Sequence, residues 1–203
     1  MILLVRHALV DACGVFLAGR TRGIHLNEEG RLQAAALGDR LRGLRIAAIY
    51  TSPLERAQDT AKALSGSGTR AIVTDDLNEI DFGEWTGLSF DDLNRREDWR
   101  DFNRSRSATA IPGGERMVDV QTRACRALTR IHREHPQEHV SLVSHGDVLR
   151  ALIAGLLEMP LDCIDRFAID PASVSILQPS WRGFEVIQLN CHAYRDHCCP
   201  THG

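Results

Sequence analysis

No stretch of this 203-residue sequence approaches the roughly 18 consecutive apolar residues that a membrane-crossing helix needs, and no basic stretch precedes the short opening apolar run at residues 2–5. That run reads as a strand, and neither a membrane span nor a secretion signal is expected. Charge of one sign is also missing: 24 Lys and Arg stand against 27 Asp and Glu, a net charge of −3. Such a chain has no global field to draw it onto nucleic acid or an anionic membrane, so any anion site must be local. The six cysteines, Cys13, Cys125, Cys163, Cys191, Cys198 and Cys199, are scattered apart from the last three. They do not form the dense framework of a small secreted scaffold, and reduced thiols in a cytoplasm are expected. There is no Gly-x-x-x-x-Gly-Lys loop and no Asp-x-Asp after a strand, nor any internal repeat or low-complexity linker. With 43% hydrophobic residues, the chain can bury the core of one domain.

Apolar runs recur at residues 2–5, 46–50, 71–73, 140–143, 174–177 and 184–189, the strand candidates. Between them, apolar residues spaced by threes and fours predict helices over 28–41, 53–64, 115–132 and 148–157. Asn27 is placed to cap the first helix, and Pro53 suits the first turn of the second. The polar segment 87–114 breaks the pattern and reads as a short helix plus a loop, a lid-like insertion anchored by Phe90, Trp99 and Phe102. Strands alternating with helices predict an α/β fold, a three-layer α/β/α sandwich around a mostly parallel central sheet. Residues 1–190 form the domain, and 191–203 a flexible tail.

Ligands of such sheets lie beyond the carboxyl ends of the strands. The first strand ends in Arg6-His7, the second runs into Ser52-Pro53-Leu54-Glu55-Arg56, the 77–79 segment ends in Glu79, and the fourth run ends in Ser144-His145-Gly146. Singly, each has a structural or solvated reading; together they place two histidines, two arginines and a glutamate at one edge. A transferring phosphoryl group needs fixed cations and positioned donors. Arg6 and Arg56 can fork onto its oxygens, and His7 can attack phosphorus through a neutral ring nitrogen. His145 opens a helix whose Gly146 lets backbone approach an anion. Glu79 can protonate a leaving alkoxide and later deprotonate water.

These residues resemble the histidine phosphatase superfamily, the phosphoglycerate mutase-like family. Leu3-Leu4-Val5-Arg6-His7-Ala8 is similar to its Arg-His-Gly signature, with Ala8 for the glycine. Further matches are Leu26-Asn27-Glu28-Glu29-Gly30 with Gln33, then Thr51-Ser52-Pro53-Leu54-Glu55-Arg56-Ala57, Leu77-Asn78-Glu79 through Gly83-Glu84-Trp85, Pro112-Gly113-Gly114-Glu115 and Val143-Ser144-His145-Gly146. The likeness spans about residues 1–189. It implies that His7 is phosphorylated, that Arg6, Arg56 and His145 complete the phosphate pocket, that Glu79 is the proton donor, and that no metal or organic cofactor is needed. Many members have polar residues where this chain has Leu9, Val10 and Cys13, so a relative's substrate cannot simply be transferred. Gly19-Arg20-Thr21 resembles a stretch in alpha-ribazole phosphatase-type members, which puts Arg20 at the substrate mouth or leaves it a solvated loop arginine.

The expected activity is hydrolysis of a small phosphomonoester through a phosphohistidine. The alternatives are a phosphoglycerate mutase-type phosphotransferase, disfavoured by the short segment between the Gly-x-Trp and Pro-Gly-Gly motifs, and an inactive phospho-ligand-binding relative. A cysteine phosphatase is excluded, because six residues rather than five separate Cys13 from Arg20. Arg20, Arg22, Arg104 and Arg106 remain open between substrate contact and solvated charge. Trp85, Trp99 and Trp181 read as packing residues, His132, His135 and His139 as helix-end imidazoles, and the Cys- and His-containing tail as loosely packed, with a flap or metal site as its alternatives. A homodimer is left open.

Overall fold

The computed structural model describes residues 1–65 and 69–192. Its single sheet contains β1 (Ile2–Arg6), β2 (Ile46–Thr51), β3 (Ala71–Val73), β4 (His139–Ser144), β5 (Ser173–Ser180) and β6 (Gly183–His192), in the order β3-β2-β4-β1-β5-β6. The first four of that order are parallel, while β5 and β6 form an antiparallel hairpin at the far edge. Helices α1 (Glu28–Leu41), α2 (Glu55–Leu64), α3 (Phe90–Arg95), α4 (Glu97–Arg104), α5 (Met117–Glu134) and α6 (Gly146–Leu156) complete the α/β sandwich.

Period-two alternation divides the apolar strands between two cores. Leu3, Val5, Ile49 and Val143 join Leu37, Ala57 and Ala61 of α1 and α2 on one face. Ile2, Leu4, Tyr50 and Leu142 join residues of α5 and α6 on the other. Register then fixes where chemistry can gather: Arg6 pairs with Ser144 and Thr51 with Val143, so β1, β2 and β4 finish side by side.

The side chain of Asn27 accepts the Gly30 amide at 2.8 Å, capping α1 as expected. Asn27→Ala should lower the unfolding free energy by about 1 kcal/mol in urea titrations. Pro53 lies outside its helix, which starts at Glu55, because Ser52 Oγ accepts the Leu54 amide and holds these residues in a turn. The polar segment makes two helices rather than one plus a loop. Ser89 caps α3 by accepting from the Asp92 amide, and Arg96, in extended conformation, separates it from α4. Rings of Trp85, Trp99 and Phe102, 5.3 to 6.0 Å apart, pin the insertion to the core.

Trp181 is not a packing residue: it is 85% exposed in the β5–β6 turn, with the Arg182 guanidinium over its ring. His139 lies at the start of β4 rather than at a helix end, beside the chain's amino terminus. β6 continues through His192, so the boundary expected at residue 190 falls inside a strand; the readings placed on the tail beyond it lie outside the described residues. No helix among the described residues is long and apolar enough to cross a membrane.

Candidate active site

His7 follows β1 directly, its amide bonded to the Ser144 carbonyl at 2.9 Å. It is 4% exposed, and its Nδ1 lies 2.8 Å from the Ala8 carbonyl. A carbonyl can only accept, so Nδ1 carries the proton and the Nε2 lone pair is left available. The next residues are clamped from two helices. Thr60 Oγ1 accepts the Ala8 amide, Gln33 Oε1 accepts the Leu9 amide, and Gly30 packs so closely that an added Cβ would come within 2.0 Å of the Leu9 carbonyl oxygen. The Asn-Glu-Glu-Gly-x-x-Gln stretch of α1 therefore orients the loop behind His7.

Arg6 Nη1 donates to the Ile169 carbonyl, and Gly146 leaves the space its guanidinium occupies, since a Cβ there would lie 3.2 Å from Arg6 Cζ. Arg56, 2% exposed in the first turn of α2, donates from Nη2 to the Gly19 carbonyl at 2.7 Å. His145 is fully buried at the N-cap of α6, with Nε2 2.8 Å from Ser52 Oγ and Nδ1 3.6 Å from Glu79 Oε2. Its ring centroid is 5.1 Å from that of His7. Burial first, then the Arg56 guanidinium and other nearby cations, hold both imidazoles well below their ordinary range, so both are neutral at pH 7.

Glu79 behaves oppositely. Burial, assisted by the charge of Asp147, pushes its carboxyl up to about 7 against the pull of Arg56, the Ile80 amide and Arg6. Near neutrality it can therefore both give and accept a proton. Arg6, His7, Arg56 and Glu79 line a cavity of about 320 Å³, and His145 stands beside it against the His7 ring and Glu79. The outer wall includes Val10, Cys13, Phe90 and Trp99 on its apolar side and Asn103, Arg106, Asp147 and Arg150 on its polar side.

The model of the histidine phosphatase superfamily (branch 1) matches residues 2–192. The chain belongs to that superfamily. Phosphoserine phosphatase 1 of Hydrogenobacter thermophilus is 30% identical over 199 residues, covering 94% of this chain and 93% of its own. The structure of Bacillus stearothermophilus YhfR superposes with a TM-score of 0.86 at 32% identity, covering 92% of this chain and 95% of its own. That of the alpha-ribazole phosphatase from Shigella flexneri gives 0.83 at 26% identity, covering 94% and 96%.

Within this superfamily member, His7, Arg6, Arg56, Glu79, His145 and Gly146 converge, but Arg20 does not line the cavity. It lies behind Glu79, donating from Nε to the Glu79 carbonyl at 2.8 Å and from Nη2 to Glu115 at 3.0 Å. Arg123 reaches the same carbonyl at 3.2 Å and Glu115 at 2.8 and 3.1 Å. Two guanidinium groups bridged by one carboxylate thus hold the peptide that carries the acid. Glu115→Ala leaves both cations without that bridge and should cost about 2–3 kcal/mol of stability in denaturant titrations, with Glu115→Gln costing less.

Sequence reasoning missed Ser52, Glu115, Arg123, Asn103, Asp147 and Arg150. Ser52 and Glu115 carried an accessible signal, since they lie within the Thr-Ser-Pro and Pro-Gly-Gly-Glu motifs, and the other four did not. Among the described residues no group of three or more His, Cys, Asp or Glu is placed to hold a metal ion.

Proposed function

We propose that this phosphatase hydrolyses small phosphomonoesters in two steps on His7. The Nε2 lone pair forms a bond to phosphorus as the ester P–O bond breaks, Glu79 gives its proton to the departing alkoxide, and Arg6 and Arg56 balance charge on the phosphoryl oxygens. Water then attacks the phosphohistidine, Glu79 takes its proton, and inorganic phosphate leaves with His7 restored. His145, neutral and oriented by Ser52, contributes a hydrogen bond to the phosphoryl group.

The observation that carries this reading is the pairing of His7, its Nδ1 proton committed to the Ala8 carbonyl, with a buried carboxyl raised to about 7. Hydrolysis is favoured over phosphoryl transfer to a second substrate by the short insertion, whose helices α3 and α4 pack against the core. A cytoplasmic setting is supported by the free thiols of Cys13, Cys125 and Cys163. Rapid acid-free quenching of a single turnover tests the mechanism: a base-stable, acid-labile phosphoryl adduct on His7 is expected, and steady turnover with no adduct and no burst would count against it.

A further inference from the structure

Four arginines line the cavity, Arg6 and Arg56 beside His7 and Arg106 and Arg150 on its outer wall. Among the described residues, the buried guanidinium nitrogens that have no hydrogen-bond partner are Arg6 Nε, Arg56 Nη1, Arg106 Nε and Arg150 Nε, all on these four side chains. Arg123, equally part of the site but behind it, instead engages Nε, Nη1 and Nη2. Buried donors without acceptors destabilise a fold, the more so when charged, and persist where binding repays them.

The outer pair is assembled from distant parts of the chain. Arg106 follows α4, is 7% exposed, and stacks over the Phe102 ring, with Nη2 donating to Asn103 Oδ1 at 2.9 Å. Arg150 projects from α6 one turn beyond Gly146. Both face the same two carboxylates, but loosely: Arg106 lies 3.7 Å from Asp147 and 3.3 Å from Asp165, and Arg150 lies 3.2 Å and 3.6 Å from them. The tight structural pair Arg123–Glu115 measures 2.8 Å. Asp147 and Asp165 therefore offset the charge without engaging the donors fully.

On the mechanism proposed above, the substrate's phosphoryl group takes Arg6 and Arg56. The guanidinium groups of Arg106 and Arg150 then remain, held to Asp147 and Asp165 only at 3.2 to 3.7 Å and with both Nε atoms unpartnered. A planar carboxylate matches guanidinium forks whose present partners are held so loosely, and it can compete with them for the donors. A second phosphate would bring two charges close to Asp147 and Asp165.

On the phosphatase reading above, we propose that Arg106 and Arg150 bind a carboxylate on the substrate's leaving group, so that the enzyme selects phosphorylated hydroxy or amino acids over phosphorylated neutral alcohols. The matched pair 3-phosphoglycerate and glycerol 3-phosphate differs only in a carboxylate replacing a hydroxymethyl group. The kcat/KM for 3-phosphoglycerate should be higher by about tenfold or more, the effect of charge-assisted hydrogen bonds. Arg150→Gln should shrink that ratio toward one, mainly by raising KM for 3-phosphoglycerate, and Asp165→Asn, which removes a competing carboxylate, should widen it. Arg106→Gln should act like Arg150→Gln; if it fails to fold, the more exposed Arg150 and Asp165 carry the test.

A wild-type ratio within about twofold of one, or a ratio unmoved in folded Arg150→Gln, overturns the carboxylate site while His7-dependent p-nitrophenyl phosphate hydrolysis persists. Loss of that hydrolysis in the wild type would overturn the phosphatase reading and this inference with it.

Discussion

His7→Ala is expected to lower kcat/KM for p-nitrophenyl phosphate by about 10⁴-fold or more, and to eliminate the phosphohistidine, because no second imidazole is placed to take over the attack. His145 is the imidazole that stands against the His7 ring, and it is already committed. Its Nε2 lies against Ser52 Oγ, and its ring centre is 5.1 Å from that of His7. The backbone of His7, Ala8 and Leu9 is held from β4, α2 and α1 through amides and not through the His7 ring, so the variant should remain folded. Unfolding curves beside the kinetics separate a lost nucleophile from a lost structure. Activity within tenfold of wild type in a folded His7→Ala protein would sink the assignment.

Glu79→Gln should act on turnover and stability in opposite directions. Loss of the proton donor should slow release of an alkyl leaving group by about 10² to 10³-fold, with much less effect on p-nitrophenolate, which departs without a proton. In the wild type, turnover of alkyl monoesters should fall as pH rises through about 7, where Glu79 ionises. The acid limb should lie well below the ordinary imidazole range, because neutral His7 resists protonation. Equal losses on both leaving groups would count against Glu79 as the acid.

For stability, the folded carboxyl has a pKa raised from 4.5 to about 7. Between those values the folded state binds more protons than the unfolded one, so the wild-type carboxylate is progressively disfavoured as pH rises. At about 1.4 kcal/mol per unit, the shift corresponds to about 3 kcal/mol. Glu79→Gln should therefore match wild type below pH 4.5 and become more stable by that order above pH 7, still accepting the Ile80 amide through its carbonyl. A stability difference that does not change between pH 5 and 8 would mean that the carboxyl is not ionising in that buried setting.

Local chemistry wrote much of this protein in readable form. The alternation of Leu3 and Val5 with Ile2 and Leu4 announces a strand buried on both faces, and α1 runs over the residues its apolar spacing predicts, with Asn27 capping it. Because strands of a parallel sheet finish at one edge, Arg6, His7, Arg56, Glu79 and His145 could be gathered from residue order alone. Arginines were the failure. Arg20, Arg106 and Arg150 are all long cations near loops or helix starts, and nothing within a few residues of each says which will face a ligand. Arg20 turned inward because Glu115, 95 positions away, receives it, whereas Arg106 and Arg150 meet at Asp147 and Asp165 across the closed fold. The sequence by itself determined the elements, their order and the reacting edge, since those follow from periodicity and parallel topology. Which cations brace the acid and which remain available to a substrate was decided only by tertiary structure, because a guanidinium group takes its role from the acceptors that folding brings to it.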